Sequence, residues 1–401
     1  MTVVPRALNC ITPPYILQSL LDSDDAQIRR AALDTLITTA RLRGEREIRS
    51  ALAGVGAAPV GGRRTIFDCR NGIVLRLATM ARSEGGPAVT DESVNRAYDG
   101  FGITRDFLRD VFERDSIDGL GMRLHGYVHR GSRYNNAFWD GSEMVFGDGD
   151  GIIFSDFTGS LDVIAHELAH GVTEFTAGLE YHGQSGALNE SASDVFGSMV
   201  KQWALKQSAA DADWLIGADV FTPAISADGL RSLKAPGTAF DNHLLGKDPQ
   251  PGHMDNYVEL PDTDEGDFGG VHINSGIPNR AFYLVATTIG GNSWDAAGRI
   301  WYESLRACTH RTQFAEFADT THRKAGELYG DGSAERQAVA DAWNTVGVPV
   351  SAAPTGGTTP PAPFESGDGT ASATVIVQRL ESLTAQVRVL ATEIQDLAGR
   401  H

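Results

Sequence analysis

The sequence predicts an α+β protein with a β-rich N-terminal lobe and a mostly helical C-terminal lobe. Three observations lead there. Between residues 64 and 146, short apolar runs are separated by Gly, Asp and Asn, the punctuation of strands and turns. From residue 161 onward apolar residues mostly recur every three or four positions, the period of a helix. The length of 401 residues exceeds one compact core, and two low-complexity stretches divide it.

Taken in order, residues 1–21 hold Pro5, Arg6, Asn9, Pro13 and Pro14, which interrupt any apolar region of a Sec-type signal. No run in the chain reaches the length of a membrane helix, so no membrane span is expected. The expectation is a chain that is cytoplasmic or exported without a Sec signal peptide. Residues 22–52 read as one or two polar helices, with Asp22, Asp24 and Asp25 at a positive helix end. Ile28, Ala31, Ala32, Leu36 and Ala40 form their apolar stripe. Residues 53–62, rich in Gly and Ala, read as an exposed linker and set a boundary after a small N-terminal piece, 1–58.

Strands are expected at Thr65-Ile66-Phe67 and Ile73-Val74-Leu75-Arg76-Leu77, then a helix around residues 91–111 carrying Val94, Tyr98, Phe101, Phe107 and Val111. Further strands follow at residues 124–128, 137–139 and 144–146. Gly147-Asp148-Gly149-Asp150-Gly151 resembles part of a calcium loop, but it lacks the closing glutamate, and a hairpin turn is the better reading.

The helix expected next, capped by Ser160 or Asp162 and ended by Gly178, carries His166-Glu167-Leu168-Ala169-His170. Two histidines four residues apart share one helix face, so both imidazoles can converge on one zinc ion, with the Glu167 carboxylate beside it. Taken alone, the pattern also fits an amphipathic helix with two surface histidines. A second helix, residues 188–204, presents Glu190, twenty positions after His170, and Asp194 one turn later. Glu190 completes two histidines and a glutamate, the ligand set of one catalytic zinc with an open position. Asp194 can accept the outward N–H of a ligand histidine, fixing its tautomer.

Residues 211–261 read as loops, and helical patterns resume from residue 277 to 346. Residues 351–374 form a Pro/Gly/Thr linker. Beyond it, Ile376, Leu380, Leu383, Val387, Leu390, Ile394 and Leu397 give residues 375–401 a coiled-coil-like seam, open to self-association, to docking on the chain's own body or to another partner. The net charge of −18 argues against nucleic acid as a partner. The three cysteines, Cys10, Cys69 and Cys308, give no disulfide framework.

Four motifs in this order resemble the thermolysin-like zinc metalloendopeptidases: Asn135-Asn136-Ala137-Phe138-Trp139, the His166 to His170 helix, residues 186–194, and Gly269-Gly270-Val271-His272-Ile273-Asn274-Ser275-Gly276. The resemblance spans residues 64–350 and implies a two-lobed catalytic domain, 59–178 and 179–350, acting on protein or peptide substrates. It implies Glu167 as the general base, with Tyr181 and His272 as oxyanion donors and Asp267 orienting His272. It implies that Asn136, the Ala137 backbone and Arg231 hold the substrate main chain. Val163, Ile216 and Leu230 would wall an apolar pocket favouring a bulky hydrophobic residue after the cleaved bond.

The chain departs from the family where paired calcium ions bind. Asp162 and Asp213 remain, but Lys201, Leu215 and Ala218 replace the other positions, so a Lys201 ion pair is expected in place of that calcium site. Residues 10–17 resemble the short propeptide of the protealysin subgroup, implying an enzyme held latent until cut in the linker. There Cys10 either ligates the zinc as thiolate or is simply packed, the latter being favoured. Two alternatives stand beside the peptidase: an assembly protein working through its C-terminal helix, and a zinc amidase acting on a non-peptide substrate.

Overall fold

The computed structural model describes residues 8–52 and 64–351. The expected linker at 53–62 and the C-terminal helix with its seam at 376–397 lie outside the described residues. Six strands form one sheet: β1 (Asn9–Cys10), β2 (Arg64–Asp68), β3 (Thr79–Ser83), β4 (Leu124–Val128), β5 (Ala137–Trp139) and β6 (Met144–Phe146). Their order is β1-β5-β6-β4-β2-β3. The pairs β2–β4 and β4–β6 are parallel and the remaining pairs antiparallel.

Side chains alternate between the two faces of a strand, so each strand serves two environments. Ile66, Val128, Trp139, Met144 and Phe146 enter the main core with helix α3 (Glu92–Phe112) and helix α4 (Leu161–Glu174). Tyr127, Phe138 and Val145 point the other way, into a smaller cluster on the outer face. That cluster is covered by the N-terminal segment, which forms β1, then α1 (Pro14–Leu20) and α2 (Ala26–Leu52).

Helix α1 went unpredicted because Pro13-Pro14 reads as a breaker. Pro14 sits in the first turn, where its missing N–H has no helical partner to lose. The strand expected at residues 73–77 is corrected: Leu75–Leu77 is a 3-10 turn with Leu77 exposed, and the strand is Thr79–Ser83. Its pairing to β2 sets Phe67 opposite Met80 after a bulge, leaving the apolar run outside the ladder.

Helix α4 ends at Glu174, earlier than Gly178, which instead takes a left-handed conformation and donates its N–H to the Thr173 carbonyl. Neither expected cap is seen: Ser160 occupies the N-cap position without a side-chain cap bond, its hydroxyl donating to Asp162 instead. Helix α5 runs Gly183–Leu205, starting more than a turn before the expected Leu188, because Gly183-Gln184-Ser185-Gly186 carries no apolar period to reveal it. The helices α4 and α5 pack tightly at Gly197, where an added Cβ would lie 2.6 Å from the Asp162 carbonyl oxygen. That approach brings the ligand residues of the two helices face to face.

The C-terminal lobe adds a two-stranded ladder, β7 (Leu215–Ile216) with β8 (Arg231–Ser232), and helices α6 (Asp267–Asn274), α7 (Gly276–Ile289), α8 (Ala296–Ala307), α9 (Phe314–Tyr329) and α10 (Ala334–Thr345). Its core is aromatic: Trp301 stacks parallel to Trp343, and Phe282 and Phe317 meet Trp301 edge-on. Among the described residues no helix is long and apolar enough to cross a membrane.

The Gly147–Gly151 stretch is a turn whose carboxylates are already engaged. Asp150 Oδ1 accepts the N–H groups of Ile152, Ile153 and Phe154. Asp148 lies 2.8 Å from His129 Nδ1, and Asp91, the N-cap of α3, lies 2.8 Å from His129 Nε2. The bond to Asp148, opposed by burial and helped by Asp91, raises the His129 imidazole to about 9. A histidine whose folded pKa lies above its unfolded value near 6.5 gives its full stabilisation below that value and loses it as pH rises through about 9. Replacing His129 by Gln is therefore expected to lower stability by about 1–2 kcal/mol at pH 6 after solvent screening. By pH 10 the thermal midpoints of the two proteins should converge, which a melting series in pH measures.

Candidate metal centre and cleft

His166 and His170 lie one turn apart on α4, both fully buried, with their Nε2 atoms 3.1 Å apart. Glu190, from α5, faces them: its Oε2 is 3.5 Å from His166 Nε2 and its Oε1 is 3.5 Å from His170 Nε2. These three form the one group of metal-ligand type among the described residues with all ligand atoms within 4.8 Å. Glu190 Oε2 is buried without a hydrogen-bond partner. A buried carboxylate oxygen left unpaired is costly, and a cation between it and two imidazoles would satisfy it. The residues therefore fit zinc in a two-histidine, one-glutamate set.

The outward nitrogens are fixed from α5. His166 Nδ1 is 2.8 Å from Asp194 Oδ1, as expected from the sequence. His170 Nδ1 is 2.8 Å from Asn189 Oδ1 and 3.0 Å from the Ser193 hydroxyl, two contacts that the sequence did not point out. Burial lowers the His170 imidazole to about 3, whereas the Asp194 and Glu190 carboxylates overcome burial and raise His166 to about 9; a bound cation in place of the proton requires both rings neutral.

Glu167 projects from the same helix with both oxygens in different situations. Oε2 accepts the Trp139 N–H at 2.9 Å, whereas Oε1 is buried and has no partner. Burial pushes this carboxyl well above its ordinary range, with His166 opposing.

Across the cleft, α6 begins with Asp267, Phe268, Gly269 and Gly270 all at left-handed φ, a turn that aims His272 inward. Gly269 has room for no side chain there, because a Cβ would lie 3.0 Å from the Gly183 backbone nitrogen. Asp267 Oδ1 is 2.5 Å from His272 Nδ1, and its Oδ2 accepts the N–H groups of His272 and Ile273. Burial opposes charge on His272, but Glu190 and Asp267 hold its imidazolium. Tyr181 donates to Glu190 Oε1, and its hydroxyl is 3.2 Å from His272 Nε2.

Arg231, on β8, is fully buried, and its Nε and Nη2 donate to Asp194 at 2.8–3.1 Å. Asn279 adds a fourth donor group, 2.8 Å from Asp194 Oδ2 and unanticipated in the sequence.

The N-terminal segment lies in this cleft. β1 pairs antiparallel with β5, placing Asn9 opposite Trp139 and Cys10 opposite Phe138. The Cys10 carbonyl is 3.0 Å from His272 Nε2. The Ile11 N–H donates to the Ala137 carbonyl at 3.1 Å, and the Ile11 carbonyl accepts from Arg231 Nη1 at 3.1 Å. The Thr12 N–H donates to Asn136 Oδ1 at 3.0 Å. Ile11, Val163, Ile216 and Leu230 are all buried in the same apolar cluster. The Cys10 thiol packs with Leu8, Leu42 and Phe138, and burial raises it to about 12.

Two arginines of α2 grip the cleft walls, and neither was singled out in the sequence. Arg46 donates to the Trp139 carbonyl at 2.7 Å and lies 3.4 Å from Glu174. Arg43 lies 3.3 Å from Asp264 and stacks over the Phe268 ring at 4.8 Å.

Residues 82–174 match the catalytic domain of thermolysin metallopeptidases, and residues 177–348 match their α-helical domain. The chain is 47% identical over 348 residues to an extracellular metalloprotease of Pectobacterium carotovorum subsp. carotovorum, covering 86% of this chain and 98% of the relative. It is 40% identical to a thermolysin of Alicyclobacillus acidocaldarius subsp. acidocaldarius, over 70% of this chain and 50% of the relative. Among solved structures, the precursor of protealysin from Serratia proteamaculans is similar with a TM-score of 0.76 and 47% identity, covering 85% of this chain and 99% of that one.

Elemental analysis of the dialysed protein is expected to find one zinc per chain, lost in Glu190→Ala. Asp194→Asn should weaken zinc about 10–100-fold in chelator competition, because the His166 ring loses its anionic anchor.

Proposed function

The chain belongs to the thermolysin metallopeptidase family and is a zinc-dependent endopeptidase made as a latent precursor, and on that premise we propose that its own N-terminal segment holds it latent by occupying the cleft as a substrate would. The observation that carries this reading is the run of bonds from Cys10 to Thr12. Each main-chain group of the segment meets a group suited to an extended peptide: His272 at the Cys10 carbonyl, Ala137 and Arg231 at Ile11, Asn136 at Thr12. The Cys10–Ile11 bond thus stands where a cleaved bond would stand.

The roles follow from that register. When bound by His166, His170 and Glu190, zinc supplies the Lewis acidity that polarises the scissile carbonyl and acidifies the attacking water. Glu167 Oε1, free of partners, takes the water's proton and delivers it to the leaving nitrogen, while the Trp139 N–H keeps the carboxylate aimed. His272 and Tyr181 donate to the developing oxyanion, and Asp267 keeps His272 charged and oriented. Ile11 marks the site for the residue after the scissile bond, and its burial with Val163, Ile216 and Leu230 supports a preference for bulky apolar side chains there.

We read residues 1–58 as the prosegment, 59–178 and 179–350 as the catalytic lobes, and 351–374 as a linker to the segment 375–401. The family matches lie on the catalytic lobes, which leaves the assembly-protein alternative without support. The peptide-like ladder likewise disfavours a non-peptide amidase substrate. That the Pectobacterium relative is an extracellular metalloprotease supports work outside the cell.

Glu167→Gln is expected to retain zinc and lose about 10²–10⁴-fold in kcat on a casein-type substrate after prosegment removal. Undiminished turnover in that variant would sink the assignment of the base.

Beside the zinc helices, Lys201 Nζ lies 3.1 Å from the fully buried Asp162 and 2.9 Å from Asp213. We propose that this ammonium takes the place of the family's paired calcium. Calcium or a calcium chelator should then leave the thermal midpoint of the wild-type chain nearly unmoved. Lys201→Met should destabilise by about 3 kcal/mol, because it strands the Asp162 carboxylate in the core.

A further inference from the structure

The outer face of the sheet carries an apolar floor that the mechanism above does not use. Phe138 pairs with Val145, Val145 with Tyr127, and Tyr127 with Phe67, so one row of side chains runs from the cleft strand to β2. Phe67 and Tyr127 stack with ring centroids 5.0 Å apart. The cover on this row is the prosegment itself: Leu8, 2% exposed, and Leu42 of α2 both belong to the cluster. Alternation along an extended chain puts Leu8 and Cys10 on the same side, facing this row.

The neighbouring position is different. Asn9 turns to the opposite face, where its Oδ1 is buried without a hydrogen-bond partner. At Leu8, by contrast, a cavity of about 550 Å³ opens; on the catalytic-domain side Leu75, Tyr127 and Phe138 line it beside the charged Arg76, Asp140 and Glu143, and Arg41, Leu42, Glu45 and Arg46 line it from α2. Ile73 and Val74 also line it and are 49% and 40% exposed, apolar surface that nothing else in the described fold covers.

We propose that Tyr127, Phe138 and Leu75 form a specificity subsite for the third residue before the scissile bond, and that it takes large apolar side chains. This rests on the substrate-like register of the prosegment: counting back from the Cys10–Ile11 bond, Asn9 is second and Leu8 third. When the prosegment leaves, Arg41, Leu42 and Arg46 leave with it, and the floor remains beside the cleft strand. A substrate that pairs with β5 as β1 does is carried over that floor by the ladder itself.

The test uses the enzyme after its prosegment has been removed, with internally quenched peptides that hold leucine after the scissile bond. The third upstream residue is varied through Leu, Phe, Ala and Asp. A companion pair keeps Leu there and exchanges the residue after the bond between Leu and Ala. The kcat/KM for Leu or Phe at the third upstream position is expected to exceed that for Ala by about tenfold, with Asp lower still. Tyr127→Ala should bring the Leu peptide down to the level of the Ala peptide, whereas Tyr127→Phe should keep the preference. Leu75→Ala, at a half-buried position, should narrow the preference and serves if Tyr127→Ala does not fold. A flat response at the third position, with the preference after the scissile bond intact, overturns the subsite and leaves the register standing. Loss of both preferences overturns the register, and the subsite with it.

Discussion

The Asp194 carboxylate holds both halves of the site together. It is fully buried, and four side-chain N–H groups converge on it: His166 Nδ1, Arg231 Nε and Nη2, and Asn279 Nδ2. A buried carboxylate with one partner would be strongly destabilising, yet with Arg231 bonded twice and two further donors every lone pair is engaged. Burial alone would raise its pKa, but the Arg231 charge and the His166 bond hold it at about 2. Its position dictates two others. The His166 ring is turned so that Nε2 faces the metal position, and the Arg231 guanidinium is turned so that Nη1 reaches the cleft at the Ile11 carbonyl. Metal geometry and substrate register are thereby set by one anion on α5.

On the proposed reading, latency uses the same donors as catalysis, which explains how a segment with a two-residue strand can close the cleft. It adds an edge strand to β5 and gains main-chain bonds without a pocket of its own. Because it is part of the same chain, it meets the cleft at the effective concentration of an intramolecular partner. Arg46 and Arg43, three residues apart and so on one face of α2, then fasten it to the Trp139 carbonyl on one wall and to the Asp264 loop on the other. The segment bridges both lobes.

Much of this was legible in the sequence because the site is built on regular helices. A spacing of four put His166 and His170 on one face, and Asp194 lies one turn beyond Glu190, so helical period paired residues within each helix, whereas joining Glu190 to the two histidines needed the second helix to fold back on the first. Tyr181, Asp267, His272 and Arg231, spread over a loop, the kinked start of α6 and β8, follow no period and came through family resemblance. What stayed hidden were contacts between elements distant in sequence. Nothing in Asn189 or Asn279 marks it as a partner of His170 or Asp194 until α4, α5 and α7 are packed. Likewise the run at residues 73–77 has strand composition, but pairing with β2 falls to the next segment, and composition carries no register. The N-terminal prolines hid α1, since a proline that breaks a helix interior is harmless in its first turn.

The loop that aims His272 has to be understood together with the segment that covers it. Asp267 and Phe268 both adopt left-handed backbone, a conformation that disfavours side chains by about 1–3 kcal/mol each and persists only where the surroundings over-determine it. Asp267 provides much of that determination: one carboxylate orients the His272 ring and also accepts the N–H groups of His272 and Ile273, closing the first turn of the helix behind them. Phe268 is pinned differently, beneath the Arg43 guanidinium of α2 and against Tyr181. The Asp267 bonds are internal to the catalytic domain and survive loss of the prosegment; the Arg43 contact does not. On the proposed reading, His272 keeps its Asp267 bond when the segment is removed, while Phe268 beside it loses its Arg43 contact.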